Sequence, residues 1–211
     1  MQKPAPNTSY RMDLRSKILH CALSNFREKG IKAVKMDDIA NQLSVSKRTL
    51  YEIFNKKEDL LFACVKSHDE EMKQRLEKLI QRNDTVMDIL AAFLRLHIVE
   101  SCHTNPLFYA ELPKYPKVME YIDMKHDTQR EQSIGFMLKG VEEGFFREDV
   151  NYNIITHMTE VFMQNVMDTE YYHTFPMPVI VKNVILLVLR GVCTEKGLRR
   201  LDLIDFDSMG E

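Results

Sequence analysis

The chain has 211 residues, 45% of them hydrophobic, enough for one large domain or a small one with a larger companion. With only seven Gly, seven Pro and little β-branched alternation, it is expected to be all-α. The net charge of −2 hides an asymmetry: residues 1–57 hold 12 Lys and Arg against 5 Asp and Glu, and residues 58–211 hold 17 against 26, so the small basic end is expected to meet a polyanion.

Other classes are excluded early. The first ten residues, MQKPAPNTSY, lack the apolar stretch of a secretion signal. The most apolar segment, residues 179–189, is too short to span a bilayer and contains Lys182. The protein is therefore expected to be soluble and cytoplasmic, with no membrane partner. Cys21, Cys64, Cys102 and Cys193 are scattered without a CxxC pair, so neither a disulfide framework nor a metal site is expected, and no cofactor.

Taken in chain order, the first expected helix covers residues 12–29. Leu14, Ile18, Cys21, Ala22 and Phe26 recur at helical spacing, and Gly30 supplies a left-handed stop. A second run, 37–43, places Met36, Ile39, Ala40 and Leu43 on one face, and a third, 47–54, turns Leu50 and Phe54 inward. Asn55 followed by Glu58 reads as a capping box opening a long helix over 56–82. Further helices are expected at 84–101, 117–143, 151–172 and 177–195, with a Pro-broken segment at 105–116.

Three short helices with a tight turn between the second and third describe a helix-turn-helix. Ala40 is small enough for a close crossing, Val45 can plug the core from the turn, and Ser46 can cap the third helix. With Leu50 and Phe54 inside, Lys47, Arg48, Thr49, Tyr51 and Glu52 lie near or on the outer face. Arg48 suits the O6/N7 edge of guanine. Lys47 and Lys57 suit phosphates, while Ser46, Thr49 and the Tyr51 hydroxyl suit phosphate or base. Lys32 and Lys35 lie just ahead of the second helix, whose free N–H groups attract phosphate.

At this point the sequence resembles a known family. Gly30, MDDIA (36–40), VSKRTLY (45–51), Phe54 and KKEDLL (56–61) are similar to the N-terminal signature of TetR-type transcriptional regulators, over about residues 14–61. TEKGLRRL (194–201) resembles their closing helix end. The resemblance implies a three-helix DNA-binding domain at 1–55 and a larger helical domain for effector binding and dimerisation at 56–211. It implies a double-stranded DNA operator, a small-molecule effector, and a homodimer held by the last two long helices. Carried over by position, the DNA contacts fall on Lys35, Ser46, Lys47, Arg48, Thr49, Tyr51 and Lys57. Two departures stand out. Met36 occupies a position where the family often has a phosphate-touching Thr, and Arg48 replaces a frequent small residue, so its side chain is expected to read a base.

In the larger part, the 177–195 helix is apolar almost all round over 179–189, which calls for cover by another chain. The 151–172 helix repeats this more weakly, with Ile154, Met158, Val161 and Asn165 in one stripe flanked by Ile155, Phe162 and Val166. An apolar effector cavity is expected from soft, large side chains on runs that should face the middle of the domain: Phe62, Val65, Phe93, Phe108, Met124, Met158 and Phe162. His97 and Glu100 would orient the ligand.

The expected function is a sequence-specific regulator of transcription, a repressor released by its effector. One alternative is a redox-responsive DNA-binding regulator using Cys102, which has no resolving cysteine nearby in sequence. The other is a small all-α enzyme. Against it, the sequence has no phosphate loop, dinucleotide fingerprint, HExxH or GxSxG, and HDEE (68–71) reads as a solvated face.

Overall fold

The computed structural model describes residues 6–81 and 85–205, without the side chains of residues 6–9, 79, 101, 102 and 127. Among the described residues every regular element is helical: α1 Pro6–Lys29, α2 Met36–Gln42, α3 Lys47–Ile53, α4 Lys57–Ile80, α5 Val86–Cys102, α6 Pro106–Glu111, α7 Pro116–Glu142, α8 Tyr152–Asp168, α9 Met177–Val192 and α10 Glu195–Leu201. Single 3-10 turns occupy Leu112–Lys114 and Tyr171–His173. The described residues form two compact units, one from 6–72 with 105–121 and the other from 73–81, 85–104 and 122–205. This partition by contact differs from a division by task at residue 55, because α6 and the start of α7 pack with the N-terminal helices.

In the first unit, Leu14, Ile18, Ala22 and Phe26 form the buried stripe of α1 at intervals of four residues. Ile31 and Val34 from the following loop, Ile39 and Ala40 of α2, Leu50 of α3, and Leu60 and Leu61 of α4 are buried as well. Gly30 ends α1 at φ 82°, and its N–H bonds Phe26 O at 3.0 Å. A second constraint acts there: a Cβ at Gly30 would lie 3.1 Å from Leu107 Cβ and 3.3 Å from Glu111 Oε2.

Helix α6 completes the capping of this region. Asn105 Oδ1 accepts from Leu107 N–H at 3.0 Å, starting α6, while its own N–H donates to Arg27 O at 2.7 Å and its Nδ2 to Glu28 O at 3.2 Å. One asparagine thus begins one helix and satisfies carbonyls at the end of another. Glu111 accepts from Lys32 N–H at 2.6 Å. At the start of α7, the Lys117 ammonium bonds Asp59 at 2.7 Å and lies 4.7 Å from the Phe62 ring centroid.

The second unit is built around Val86, Met87, Leu90 and Leu94 of α5, Phe145, Phe146 and Tyr152, Leu189 and Val192 of α9, and Leu201 of α10. Gly140 lies directly against the Phe146 ring, which leaves no room for a Cβ. An antiparallel bridge between Phe146 and Cys193 ties the α7–α8 corner to the end of α9.

Several expectations about helix ends change: α1 begins at Pro6 rather than 12, and α8 ends at Asp168 rather than 172, before Glu170 in the left-handed region. The long helix α4 begins at Lys57, which puts Lys56 rather than Asn55 at the cap position. Glu58 does not close a capping box; it pairs with the Lys56 ammonium at 2.9 Å. Helix α9 ends at Val192 rather than continuing to 195. Cys193 is extended, and Thr194 starts α10 by accepting the Gly197 N–H at 3.2 Å. Helical periodicity continues across this break, so the pattern conceals it. The expected helix ends at 82 and 84 lie outside the described residues.

Candidate nucleic-acid interface

The helix-turn-helix is assembled by local bonds. Ser44 turns the chain at φ 55°, a left-handed conformation uncommon for a residue with a Cβ. Val45 N–H then bonds Ala40 O at 3.0 Å, and Ser46 Oγ accepts from Thr49 N–H at 3.0 Å, which caps α3 as expected. At the start of α2 the Asp38 carboxylate reaches back to Lys35 N–H at 3.1 Å. Leu50 and Phe54 are buried, so the opposite side of α3 faces outward.

That outer side carries Ser46, Lys47, Arg48, Thr49 and Tyr51 on barely two helical turns, with Lys35 on the next element. Ser46, Lys47, Arg48, Tyr51 and Lys35 are exposed, and Thr49 is half-buried with its hydroxyl 2.8 Å from Ser46 Oγ. Two carboxylates belong to the same surface, Glu52 as expected and Asp37 in addition. The Lys47 ammonium donates to Asp37 at 2.6 Å, and that bond raises the lysine pKa above its ordinary value. Arg48 Nε donates to Glu52 at 2.9 Å. The second pair is legible from its i,i+4 spacing. The first needs the crossing of α2 and α3.

Lys57 has a different setting from the rest. Its ammonium donates to Ile31 O at 2.8 Å, Val34 O at 2.9 Å and Lys32 O at 3.3 Å, and burial lowers its pKa. It closes the loop that leads to Lys35 instead of extending into solvent as expected.

The expected effector residues are divided between the units. Phe62, Val65 and Phe108 are in the first: Phe62 packs edge-on to Tyr121 at 5.6 Å, Val65 is half-buried, and Phe108 is buried. The second holds Phe93, whose ring is 4.1 Å from that of His97, together with half-buried Glu100. Met124, Met158, Phe162 and Phe93 do not face the middle of their unit; in the single chain they are 71%, 61%, 41% and 38% exposed. The apolar residues of α8 offer two candidate inner faces, and periodicity does not choose between them, while Met124 lies between Asp123 and Lys125 in a largely polar stretch of α7. A surface groove of about 460 Å³ runs between α9 and the end of the described chain, lined by Lys182, Leu186, Arg190 and residues 201–205, and none of the expected effector residues borders it.

Desolvation raises the Cys64 thiol to about 12 and Cys193 to about 11, and it raises Cys21 as well. These thiols are protonated and poorly nucleophilic at neutral pH. Cys102, on which the redox alternative rests, has its side chain outside the described residues. No described helix is long and apolar enough to cross a membrane.

Residues 18–64 match the model of the bacterial regulatory proteins of the TetR family. In sequence, the chain is 25% identical over 154 residues to the HTH-type transcriptional repressor KstR2 of Mycobacterium tuberculosis, covering 67% of this chain and 73% of that protein. In structure, it is similar to the ketosteroid transcriptional regulator KstR2 of Mycobacterium tuberculosis, with a TM-score of 0.58 at 20% identity over 92% of this chain and 98% of the other. A putative transcriptional regulator from Saccharomonospora viridis, solved in complex with choline, gives a TM-score of 0.70 at 15% identity over 87% of this chain and 100% of the other. The structural likenesses establish a fold with an N-terminal helix-turn-helix and a helical remainder. Over residues 18–64 the chain thus carries the helix-turn-helix unit of the TetR-family regulatory proteins, with its polar face outward.

Proposed function

We propose that the protein is a repressor that binds a near-palindromic DNA operator as a homodimer and is released by a small-molecule effector. Residues 1–55 read DNA, and residues 56–211 carry the effector site and the dimer contact. The observation that carries this reading is the grouping of Ser46, Lys47, Arg48, Thr49 and Tyr51 on the outer side of α3, opposite buried Leu50 and Phe54. In it Arg48 reads a base, while Lys35, Ser46, Lys47, Thr49 and Tyr51 hold phosphates. Lys57 serves the same task by holding the loop ahead of Lys35.

The homodimer draws support from α8 and α9. Ile154, Met158, Val161 and Phe162 on α8, and Val179 and Leu187 on α9, are apolar and exposed in the single chain. A two-fold interface would cover them and set two copies of α3 about one helical turn of DNA apart. Repression is supported by the names of the KstR2 relatives. Release by a small molecule is supported by the choline held by the Saccharomonospora viridis protein. We place the effector on α5 around Phe93, His97 and Glu100. The protein acts on the genome in the cytoplasm and carries out no chemistry of its own.

Selection of bound fragments from random duplexes tests the reading. Enrichment of a near-palindrome, and its loss on adding a metabolite that raises the melting temperature of the protein, are the expected results. Fragments without any shared sequence would overturn it.

A further inference from the structure

On the exposed side of α3, Arg48 and Glu52 stand one turn apart. The Arg48 side chain is 88% exposed, and an ion pair within the helix engages it from one side. Glu52 Oε1 accepts the Nε–H at 2.9 Å, so the carboxylate engages the inner edge of the guanidinium. The two Nη groups at the tip remain for an acceptor outside the chain. Two adjacent acceptors in one plane are what O6 and N7 of guanine present in the major groove.

We propose that Glu52 is a specificity-determining positioning residue, which pins Arg48 by Nε so that its Nη edge reads one guanine. The proposal rests on the reading of α3 as the base-reading helix and adds a residue to it. Two physical effects support it. An unpinned arginine swings freely and satisfies its charge on any nearby phosphate, with no sequence information. Pinning confines the fork to one direction, so less freedom is lost when it meets the correct base. The Glu52 charge also offsets that of Arg48 and repels the DNA backbone, which weakens phosphate contacts while leaving the neutral guanine edge attractive. The carboxylate therefore lowers binding to random DNA and widens the gap between right and wrong sequences.

Lys47 shows the contrast on the same surface. Its partner Asp37 sits on another helix, and its ammonium has no planar fork to aim. A pinned lysine brings a single rotatable ammonium to a base edge, whereas a pinned arginine brings a planar two-donor fork.

The test is selection and competition binding with the full-length protein and variants Glu52→Gln, Glu52→Asp and Arg48→Ala. Unmodified protein is expected to prefer guanine at one position of each half-site, and Arg48→Ala to abolish that preference. Glu52→Gln and the shortened Glu52→Asp should each reduce it by about tenfold, within the range of one bidentate contact. Glu52→Gln should also bind random DNA more tightly, an effect that mere damage to the helix would not produce. A guanine preference that Arg48→Ala erases but Glu52→Gln leaves intact would overturn the pinning and spare the reading of α3. Full preference in Glu52→Asp would show that charge alone matters, and would also overturn it. Loss confined to a neighbouring cytosine step would mean that Glu52 reads a base itself, against the proposal. Absence of any base preference in the unmodified protein would defeat the underlying reading and the proposal together.

Discussion

Helices α3 and α9 both leave side chains in water, with opposite consequences. On α3 the exposed groups are the Tyr51 hydroxyl, an ammonium, a guanidinium and the Glu52 carboxylate, with Leu50 buried beneath them. On α9, Met177, Ile180, Leu189 and Val192 are buried, yet Leu187 on the other side is 77% exposed and Val179 is exposed too. Water solvates the first kind of surface well and can be displaced by a polyanion that offers equivalent bonds. It solvates the second kind poorly, so covering it is favourable whatever the partner's sequence, provided the shape fits. A polar exposed face thus specifies what is bound, and an apolar one mainly drives association.

The comparison is broken most strongly at Leu187. Leu187→Asp should leave the single chain almost as stable as before, because the position is exposed there, yet place a charge inside a two-fold interface. We expect dissociation at micromolar concentration, seen by light scattering, with a cost of several kcal/mol to association. An unchanged dimer would assign the apolar face of α9 another role.

Arg48→Ala comes next. It should cost about 1–3 kcal/mol on the operator and little on random DNA, measured by competition binding. Equal loss on both would make it a phosphate contact.

Lys57→Ala should act in the opposite manner. It leaves the Ile31 and Val34 carbonyls without their donor, so we expect about 1–3 kcal/mol lost in denaturant unfolding. Operator and random DNA should then suffer alike through the loosened loop. Because burial lowers the Lys57 pKa, the folded state penalises its charged form. The penalty is present at neutral pH and fades as pH rises through the lowered folded pKa toward the ordinary value, so this group contributes a rise in stability there. Comparing unmodified protein and variant over that alkaline range isolates the contribution.

The smallest effect is expected at Asp37. Asp37→Asn releases Lys47 and removes a negative charge from the DNA-facing side. Affinity for random DNA should increase, and the slope of log affinity against log salt should steepen by about one unit at most. A flatter slope would show that Lys47 works only through its bond to Asp37.

Much of the fold was legible without coordinates. The stripe Leu14, Ile18, Ala22, Phe26, the stop at Gly30, the cap at Ser46 and the inward pair Leu50 and Phe54 are local features. Each depends on residues within a few turns, where helical spacing and backbone sterics act alone. The grouping of polar residues on α3 follows from the same spacing, and so does the Arg48–Glu52 pair.

Tertiary structure decided what depends on a second element. Whether Met158 and Phe162 face inward depends on which side of the apolar helix α8 its neighbours occupy. Lys57 looks like a phosphate ligand until three carbonyls of the 31–34 loop gather round its ammonium. The end of α9 is set by the corner at Phe146 and Cys193, which interrupts a helix whose periodicity runs on. Sequence by itself determined the helices, the turn and the chemistry of the exposed face of α3, because those energies act between near neighbours along the chain. The tertiary structure alone assigned the partners of Lys47 and Lys57 and the inner faces of the later helices, because those energies act between residues that only folding brings together.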